Sequence, residues 1–96
     1  MLDYLLYLLY MKKGIYQHYK GKYYLVITEA TLEETLAPMI VYQALYDEYT
    51  LWIRSQEDFL SHVTSEKLGY SGPRFLYIRD WTGQDEKNHP KRLSSL

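Results

Sequence analysis

Short runs of hydrophobic, β-branched and aromatic residues recur along most of the chain, separated by turn residues and polar loops. Runs of this length and composition are typical of β-strands. They predict strands over residues 14–19, 22–29, 39–46, 50–54, 62–65 and 75–79. Residues 39–46 are apolar on both faces, which is the pattern of a central strand. Between the first two runs, Lys20 and Gly21 predict a tight turn, because glycine readily takes a positive φ.

The segments between the strands predict one helical turn and two loops. Ser55 is a favourable N-cap for a single turn over residues 56–60. Residues 30–38 are polar, and residues 67–73 hold two glycines and a proline, so we expect loops there. Five or six short strands within residues 11–79 predict a mainly β domain. It is either a small antiparallel β-barrel, SH3-like in size, or a strongly curved sheet.

The two ends of the chain differ from this strand region. In residues 1–10, leucines recur at positions 2, 5, 6 and 9, which is one face of a helix. Two interpretations are favoured: a short helix docked on the domain or on a second copy of the chain, which would make a homodimer, or an upstream addition to a protein that starts at Met11. A weak interfacial membrane anchor is the third alternative. Residues 80–96 are polar and lack periodicity, so we expect a mobile tail.

Composition narrows the class of protein. The 96 residues are 47% hydrophobic and 24% charged, as in one ordinary globular domain. The absence of cysteine excludes a disulfide scaffold, a thiolate metal site and a cysteine nucleophile. No apolar run reaches the roughly 20 residues of a membrane helix. We therefore expect a small soluble cytoplasmic domain without a membrane span.

The charge distribution bears on nucleic acid as a partner. A net charge of −1 provides no overall electrostatic footprint for nucleic acid. Lys20 and Lys22 nevertheless lie at the predicted hairpin tip, beside Tyr19, Tyr23 and Tyr24. Basic residues interleaved with aromatic ones can hold single-stranded nucleic acid. A solvated turn is the favoured interpretation of this basic tip.

The sequence carries no motif for catalysis or metal binding. Nucleophile-elbow, phosphate-loop and zinc-protease patterns are all absent. The three histidines have no metal-ligand spacing. We therefore predict no catalytic residue, no metal and no cofactor. The alternative is a small enzyme that uses His18 as a general base, with Arg54 or Arg74 as an anion clamp.

Strand alternation places several aromatic and basic side chains together. If Ile15, Leu51 and Ile53 point into the core, the alternate positions of the same strands point outward. The resulting aromatic–arginine face comprises Tyr16, His18, Trp52, Arg54 and, just before the last strand, Arg74. Aromatic rings beside guanidinium and imidazole groups can hold an anion, a base or a peptide. The leading hypothesis is therefore a non-catalytic module that binds a small ligand or a protein partner.

A competing interpretation treats the same residues as structural. Tryptophan is usually largely buried, so Trp52 could lie in the core. Arg54 would then pair with Glu34 or Glu57. A purely structural role in self-association is the third hypothesis.

Four separated motifs follow one another in a defined order. They are His18-Tyr19-Lys20-Gly21, then Glu34-Thr35 with Pro38, Val41 and Tyr42, then Leu51-Trp52-Ile53-Arg54, then Pro73-Arg74-Phe75. In these motifs the chain resembles a small bacterial family of domains of unknown function, number sixteen fifty-three, over residues Met11 to Ile78. The resemblance implies a compact bacterial cytosolic domain, and it implies no activity.

The chain departs from that family's usual pattern at four positions. Leu32 stands where a loop histidine is usual, so the resemblance implies no function that needs two histidines. Asp47 and Thr50 replace glycines, and Ser55 replaces a proline. The family begins near Met11, which favours a start at that residue.

Overall fold

A computed structural model describes residues 11–92, which contain seven strands and two short helices. The strands are β1 (Gly14–His18), β2 (Tyr23–Thr31), β3 (Pro38–Ala44), β4 (Leu51–Ser55), β5 (His62–Ser65), β6 (Tyr70–Pro73) and β7 (Phe75–Arg79); the helices are α1 (Gln56–Phe59) and α2 (Gly83–Asn88). The helix considered for residues 1–10 lies outside the described residues. Within residues 11–92, no helix has the length and apolar character needed to cross a membrane.

Five strands form one antiparallel sheet in the order β4-β3-β2-β1-β7, and β5 pairs with β6 in a separate hairpin. The mainly β, antiparallel prediction is therefore confirmed. The predicted barrel is wrong, because β4 and β7 are the two edges of the large sheet and do not pair with each other. The chain between them forms α1 and the β5–β6 hairpin instead of continuing the sheet, so the barrel does not close.

Most strands lie where hydrophobic patterning predicts them. Residues 62–65 and 75–79 coincide with β5 and β7, and the helical turn after Ser55 is α1. The sequence missed β6, because Gly72 and Pro73 are usual strand breakers. Both are tolerated in this two-stranded hairpin, where Val63 pairs with Gly72 and His62 with Pro73. The predicted central strand is also corrected: β3 has a neighbour on each side, but the middle strand is β2.

Two glycines serve the geometry of β1. Gly21 has a φ of +111° and donates its amide to the His18 carbonyl at 2.8 Å, which confirms the tight turn between β1 and β2. Gly14 has a φ of +136°, and a Cβ atom there would lie 2.7 Å from the carbonyl oxygen of Arg79. Glycine at the start of β1 therefore allows β7 to approach closely.

The helix α1 covers one face of the five-stranded sheet. The buried cluster on that face comprises Met11, Tyr16, Val26, Ile40, Tyr42, Phe59 and Phe75. Phe59 of α1 is 0% exposed and contacts Tyr16 and Tyr42 edge to face. Aromatic pairs in this geometry add to the stabilisation from buried area, which suits a small core. The tyrosines thus supply much of the hydrophobic core.

This packing reverses part of the predicted orientation. Tyr16 is only 4% exposed, whereas Ile53 is 64% exposed and Leu51 is also exposed. The predictions that Tyr16 points outward and that Leu51 and Ile53 point into the core are wrong. Ile15 is buried as expected, on the opposite face from Tyr16. Alternation separates the two faces of a strand, but both faces of this sheet hold buried apolar residues, and only the position of α1 decides which face carries the aromatic core.

Beyond β7 the chain forms α2, where the sequence predicted a tail without secondary structure. Asp85 is 2% exposed and accepts two hydrogen bonds from Arg79, at 2.6 and 2.7 Å. Thr82 forms a capping box with Asp85 at the start of the helix. Further along, the Tyr49 hydroxyl lies 2.7 Å from His89 Nδ1. These polar contacts hold α2 without hydrophobic periodicity, which is why the pattern missed it.

Candidate functional site

Two arginines from different parts of the chain meet at one carboxylate. Arg54, near the end of β4, donates from Nη1 to Asp58 Oδ2 at 2.5 Å. Arg74, the single residue between β6 and β7, has its Nη2 3.7 Å from Asp58 Oδ1. Asp58 is held in α1, where its amide donates to the N-capping hydroxyl of Ser55 at 3.1 Å. We call Arg54, Arg74, Asp58 and the neighbouring His18 the arginine cluster.

Backbone and side-chain contacts fix Arg74 in the cluster. Its amide donates to the Ser61 carbonyl at 2.9 Å, and its carbonyl accepts from the Tyr19 amide at 3.0 Å. Its Nε donates to Ser61 Oγ at 3.0 Å. The guanidinium is therefore held by the segment after α1 and by the β1–β2 turn. Such preorganised groups lose little side-chain entropy when they bind a ligand.

The cluster carries an excess of positive charge. One carboxylate, Asp58, faces two guanidinium groups, whose side chains are 30% exposed for Arg54 and 24% exposed for Arg74. Within residues 11–92, no acceptor makes a hydrogen bond with Arg54 Nη2 or Arg74 Nη1. Part-buried guanidinium groups with free donors can bind an oxyanion in the geometry of their planar forks.

His18 lies beside the arginines on the aromatic part of the same face. Its ring contacts Phe75 edge to face with centroids 4.9 Å apart, and its Nδ1 accepts from the Lys20 amide at 3.1 Å. Burial lowers the pKa of His18, and the positive charges of Arg54, Arg74 and Lys20 lower it further. The imidazole is therefore neutral at pH 7, with its proton on Nε2.

Tyrosine hydroxyls form the border of the cluster. Tyr42 accepts a hydrogen bond from Arg54 Nε at 3.2 Å. Tyr24 and Tyr46 share a hydrogen bond between their hydroxyls, 2.5 Å apart. Burial and this bond to Tyr46 raise the pKa of Tyr24, so its hydroxyl stays protonated. The Lys22 ammonium lies 4.6 Å from the Tyr46 ring centroid. The border therefore offers hydroxyl groups beside a cationic centre.

Of the five residues predicted for the aromatic–arginine face, the structure brings together His18, Arg54 and Arg74. Phe75 lies under His18 and also under the Arg54 guanidinium, whose Cζ is 5.7 Å from the ring centroid. Trp52 shares that face through its pairing with Tyr42, and it is 48% exposed. Trp52 is therefore not part of the buried core. Tyr16 is separate, because it lies within the core.

Sequence reasoning missed the acid that joins the arginines. Arg54 pairs with Asp58, and the alternative pairings with Glu34 or Glu57 are wrong. The four-residue spacing from Arg54 to Asp58 was not a helical signal, because Arg54 lies in β4 and only Asp58 lies in α1. No local signal links Arg74 to Asp58, since the contact depends on how the β5–β6 hairpin returns to the sheet.

The cluster is a surface site. Pockets of about 400, 360 and 370 Å³ lie beside Trp81, Glu29 and Ile78, respectively. No residue of the arginine cluster lines any of these pockets. Within residues 11–92, no group of three histidine or acidic side chains could hold a metal ion. A ligand of the cluster would therefore bind from the surface, through its charged group.

Comparison with known proteins identifies a family and a solved relative. A family model described as "Protein of unknown function (DUF1653)" matches residues 14–77, two thirds of the chain. The chain is also similar to a protein belonging to DUF1653 from Bordetella bronchiseptica, whose crystal structure superposes with a TM-score of 0.68 at 28% sequence identity. That similarity covers 78% of this chain and 96% of the other. No curated protein matches the chain.

Proposed function

Because the chain belongs to DUF1653, a family of proteins of unknown function that its sequence motifs already indicated, we propose a function from its own arginine cluster. The domain is a non-catalytic binding module for an anionic ligand. The oxyanion of that ligand, a phosphate or a carboxylate, lies between Arg54 and Arg74.

The observation that carries this proposal is the sharing of Asp58 by two guanidinium groups. Asp58 makes a close contact with Arg54 and a longer one, 3.7 Å, with Arg74. Among residues 11–92, one carboxylate leaves a net positive charge on the cluster and leaves Arg54 Nη2 and Arg74 Nη1 without an acceptor. An oxyanion supplies both the missing charge and the missing acceptors.

The neighbouring groups suit the same ligand class. His18 Nε2–H adds a neutral donor beside the guanidinium groups. The half-exposed ring of Trp52 offers a stacking surface on the same face for a ligand that also carries a planar ring. An anion joined to a planar ring, as in a nucleotide, uses both the arginine cluster and Trp52.

The His18 tautomer favours binding over general-base catalysis. A general base needs a free nitrogen lone pair directed at the substrate. The lone pair on His18 Nδ1 accepts from the Lys20 amide, and Nε2 holds the proton. In this arrangement His18 donates a hydrogen bond to a ligand and does not remove a proton from it.

An NMR titration of the full chain tests this function. Separate titrations use inorganic phosphate, adenosine monophosphate and a short acidic peptide, with Arg54, Arg74, His18 and Trp52 signals as reporters. We expect saturable shifts at the arginine cluster. Arg54→Gln weakens binding by about tenfold or more, because a hydrogen bond to a charged group is worth roughly 1.5–3 kcal/mol. Lys67→Gln, an exposed charge change in the turn before β6, leaves affinity unchanged.

Other outcomes separate the alternatives. If Trp52 stacks on a ring, Trp52→Ala weakens binding of adenosine monophosphate and leaves binding of phosphate unchanged. The proposal fails if no probe gives saturable shifts at Arg54 and Arg74, or if Lys67→Gln weakens binding as much as Arg54→Gln. Salt-sensitive shifts with single-stranded RNA that centre on Lys20 and Lys22 would instead support the basic hairpin tip as a nucleic-acid contact.

A further inference from the structure

The edge strand β4 exposes three consecutive hydrophobic residues. Leu51, Trp52 and Ile53 are 43%, 48% and 64% exposed. Within residues 11–92, β3 is the only strand that pairs with β4. Proteins usually protect an apolar edge strand with charges, proline or a bulge, because an open edge recruits another strand. The register between β3 and β4 has no bulge.

The hydrogen-bond direction shows which backbone groups of β4 face outward. The Ala44 amide donates to the Thr50 carbonyl at 2.9 Å, so Thr50 directs its backbone groups toward β3. Since this direction alternates along a strand, the backbone groups of Trp52 and Arg54 also face β3. Those of Leu51 and Ile53 face away from the sheet, as does the Ser55 amide, whereas the Ser55 carbonyl, at the N-cap, accepts the first hydrogen bond of α1. The outer edge thus presents the donors and acceptors of Leu51 and Ile53 and the donor of Ser55.

We infer that β4 pairs antiparallel with β4 of a second copy of the chain, about a two-fold axis at Ile53. The two five-stranded sheets then join into one continuous sheet. This inference does not rest on the proposed anion-binding function. It also differs from a dimer formed through residues 1–10, because the contact lies within the domain.

The pattern of β4 is self-complementary about Ile53. Ile53 is the central residue of the strand, so this axis pairs every residue of β4 with its counterpart. Leu51 then opposes Ser55 of the second copy, and the Leu51 carbonyl accepts from the Ser55 amide of that copy. Trp52 opposes Arg54 of the second copy on one face, where the indole packs on the arginine stem. An axis at Arg54 would instead place two like charges opposite each other, which is unfavourable.

The other edge of the sheet is less suited to this pairing. On β7, Arg79 binds Asp85, and the Lys12 ammonium lies 4.5 Å from the Tyr77 ring centroid. The pairing of β7 with β1 also shifts register between Ile15 and Tyr16. Charges and bulges of this kind protect an edge strand. Of the two edges of the five-stranded sheet in the described part of the chain, β4 is the one that combines a regular register with an apolar, uncharged centre.

Sedimentation velocity of the full chain tests the dimer over roughly a hundredfold range of concentration, since a weak homodimer dissociates on dilution. We expect a monomer–dimer equilibrium. Ile53→Lys places two lysines face to face at the axis and leaves only monomer at concentrations where the unsubstituted chain is dimeric. The matched control is Leu76→Lys on β7, a similarly exposed leucine on the opposite edge. That variant keeps the dimer.

Amide hydrogen exchange supplies a second readout. In the dimer, the Leu51, Ile53 and Ser55 amides become protected as concentration rises, while Trp52 and Arg54 amides are protected in both states. The inference is overturned if the chain is monomeric throughout, if Ile53→Lys leaves the dimer intact, or if Leu76→Lys abolishes it. An intact dimer in Ile53→Lys would point to a different interface. A failed phosphate titration would leave the dimer inference unaffected, because the dimer does not depend on anion binding.

Discussion

Phe59 of α1 stacks face to face on Phe75 of β7, with ring centroids 4.0 Å apart and ring planes inclined by 4°. Both rings are buried, so this contact fixes α1 on the sheet. Asp58 directly precedes Phe59, and Arg74 directly precedes Phe75. The stacked rings therefore also bring the Asp58 carboxylate to Arg74. The hydrophobic core and the arginine cluster are parts of one packing arrangement.

Substitution of the stacked ring separates core residues from surface residues. Phe59→Ala should lower the free energy of unfolding by about 3–5 kcal/mol, because it leaves a cavity in the core. Trp52→Ala should cost about 1 kcal/mol or less, because that ring is 48% exposed. Urea denaturation of the two variants measures the difference. Similar losses for both would show that Trp52 is a core residue.

The part-buried imidazole of His18 should make stability depend on pH. Burial and the charges of Arg54, Arg74 and Lys20 lower its pKa in the folded state. The unfolded chain therefore binds more protons, and stability falls as pH decreases through about 6.5, the usual histidine pKa, toward the folded value. The stability of His18→Gln should depend less on pH over that window. Urea denaturation at several pH values tests this, and parallel profiles for both proteins would contradict it.

The polar anchor of α2 should contribute measurably to stability. Asp85→Asn weakens the bidentate contact with Arg79 and the capping box with Thr82, and it should cost about 1–3 kcal/mol. The Arg79 guanidinium and Thr82 hold the pKa of Asp85 well below its usual range. This stabilisation is present above about pH 4 and is lost as pH falls further.

Hydrogen exchange of the α2 amides and thermal unfolding would check the role of Asp85. Glu57→Gln is the matched control, because Glu57 is an exposed acid in the first turn of α1. It should change stability little. If α2 exchanges equally in both variants, the anchor lies elsewhere.

A strained backbone position offers a stabilising substitution. Leu36 is 74% exposed and has a φ of +62°, a conformation that disfavours residues with a Cβ atom. Leu36→Gly should raise the free energy of unfolding by about 0.5–1 kcal/mol, because relief of strain exceeds the added chain entropy. Leu68→Gly is the control, since Leu68 is exposed without a positive φ. It should lower stability, and a gain there would contradict the argument.

The sequence by itself determined the local elements and the family. The approximate positions of six strands, the Gly21 turn and the Ser55 cap follow from the preferences of adjacent residues, and the structure contains them with bounds that shift by up to two residues. Alternation also placed Trp52 and Arg54 correctly on one shared face. These features depend on neighbours within a few positions, which a single chain displays directly.

Only the tertiary structure decided which face α1 covers, whether the sheet closes and which acid meets the arginines. Alternation could not decide which face carries the aromatic core, because α1 builds that core by inserting Phe59 on one face. The sheet stays open because the chain between β4 and β7 builds a helix and a separate hairpin. Arg74 reaches Asp58, 16 positions away in the chain, because the β5–β6 hairpin folds back and its end contacts the segment after α1. Such contacts depend on the packing of distant segments, and the spacing of residues along the chain does not encode them.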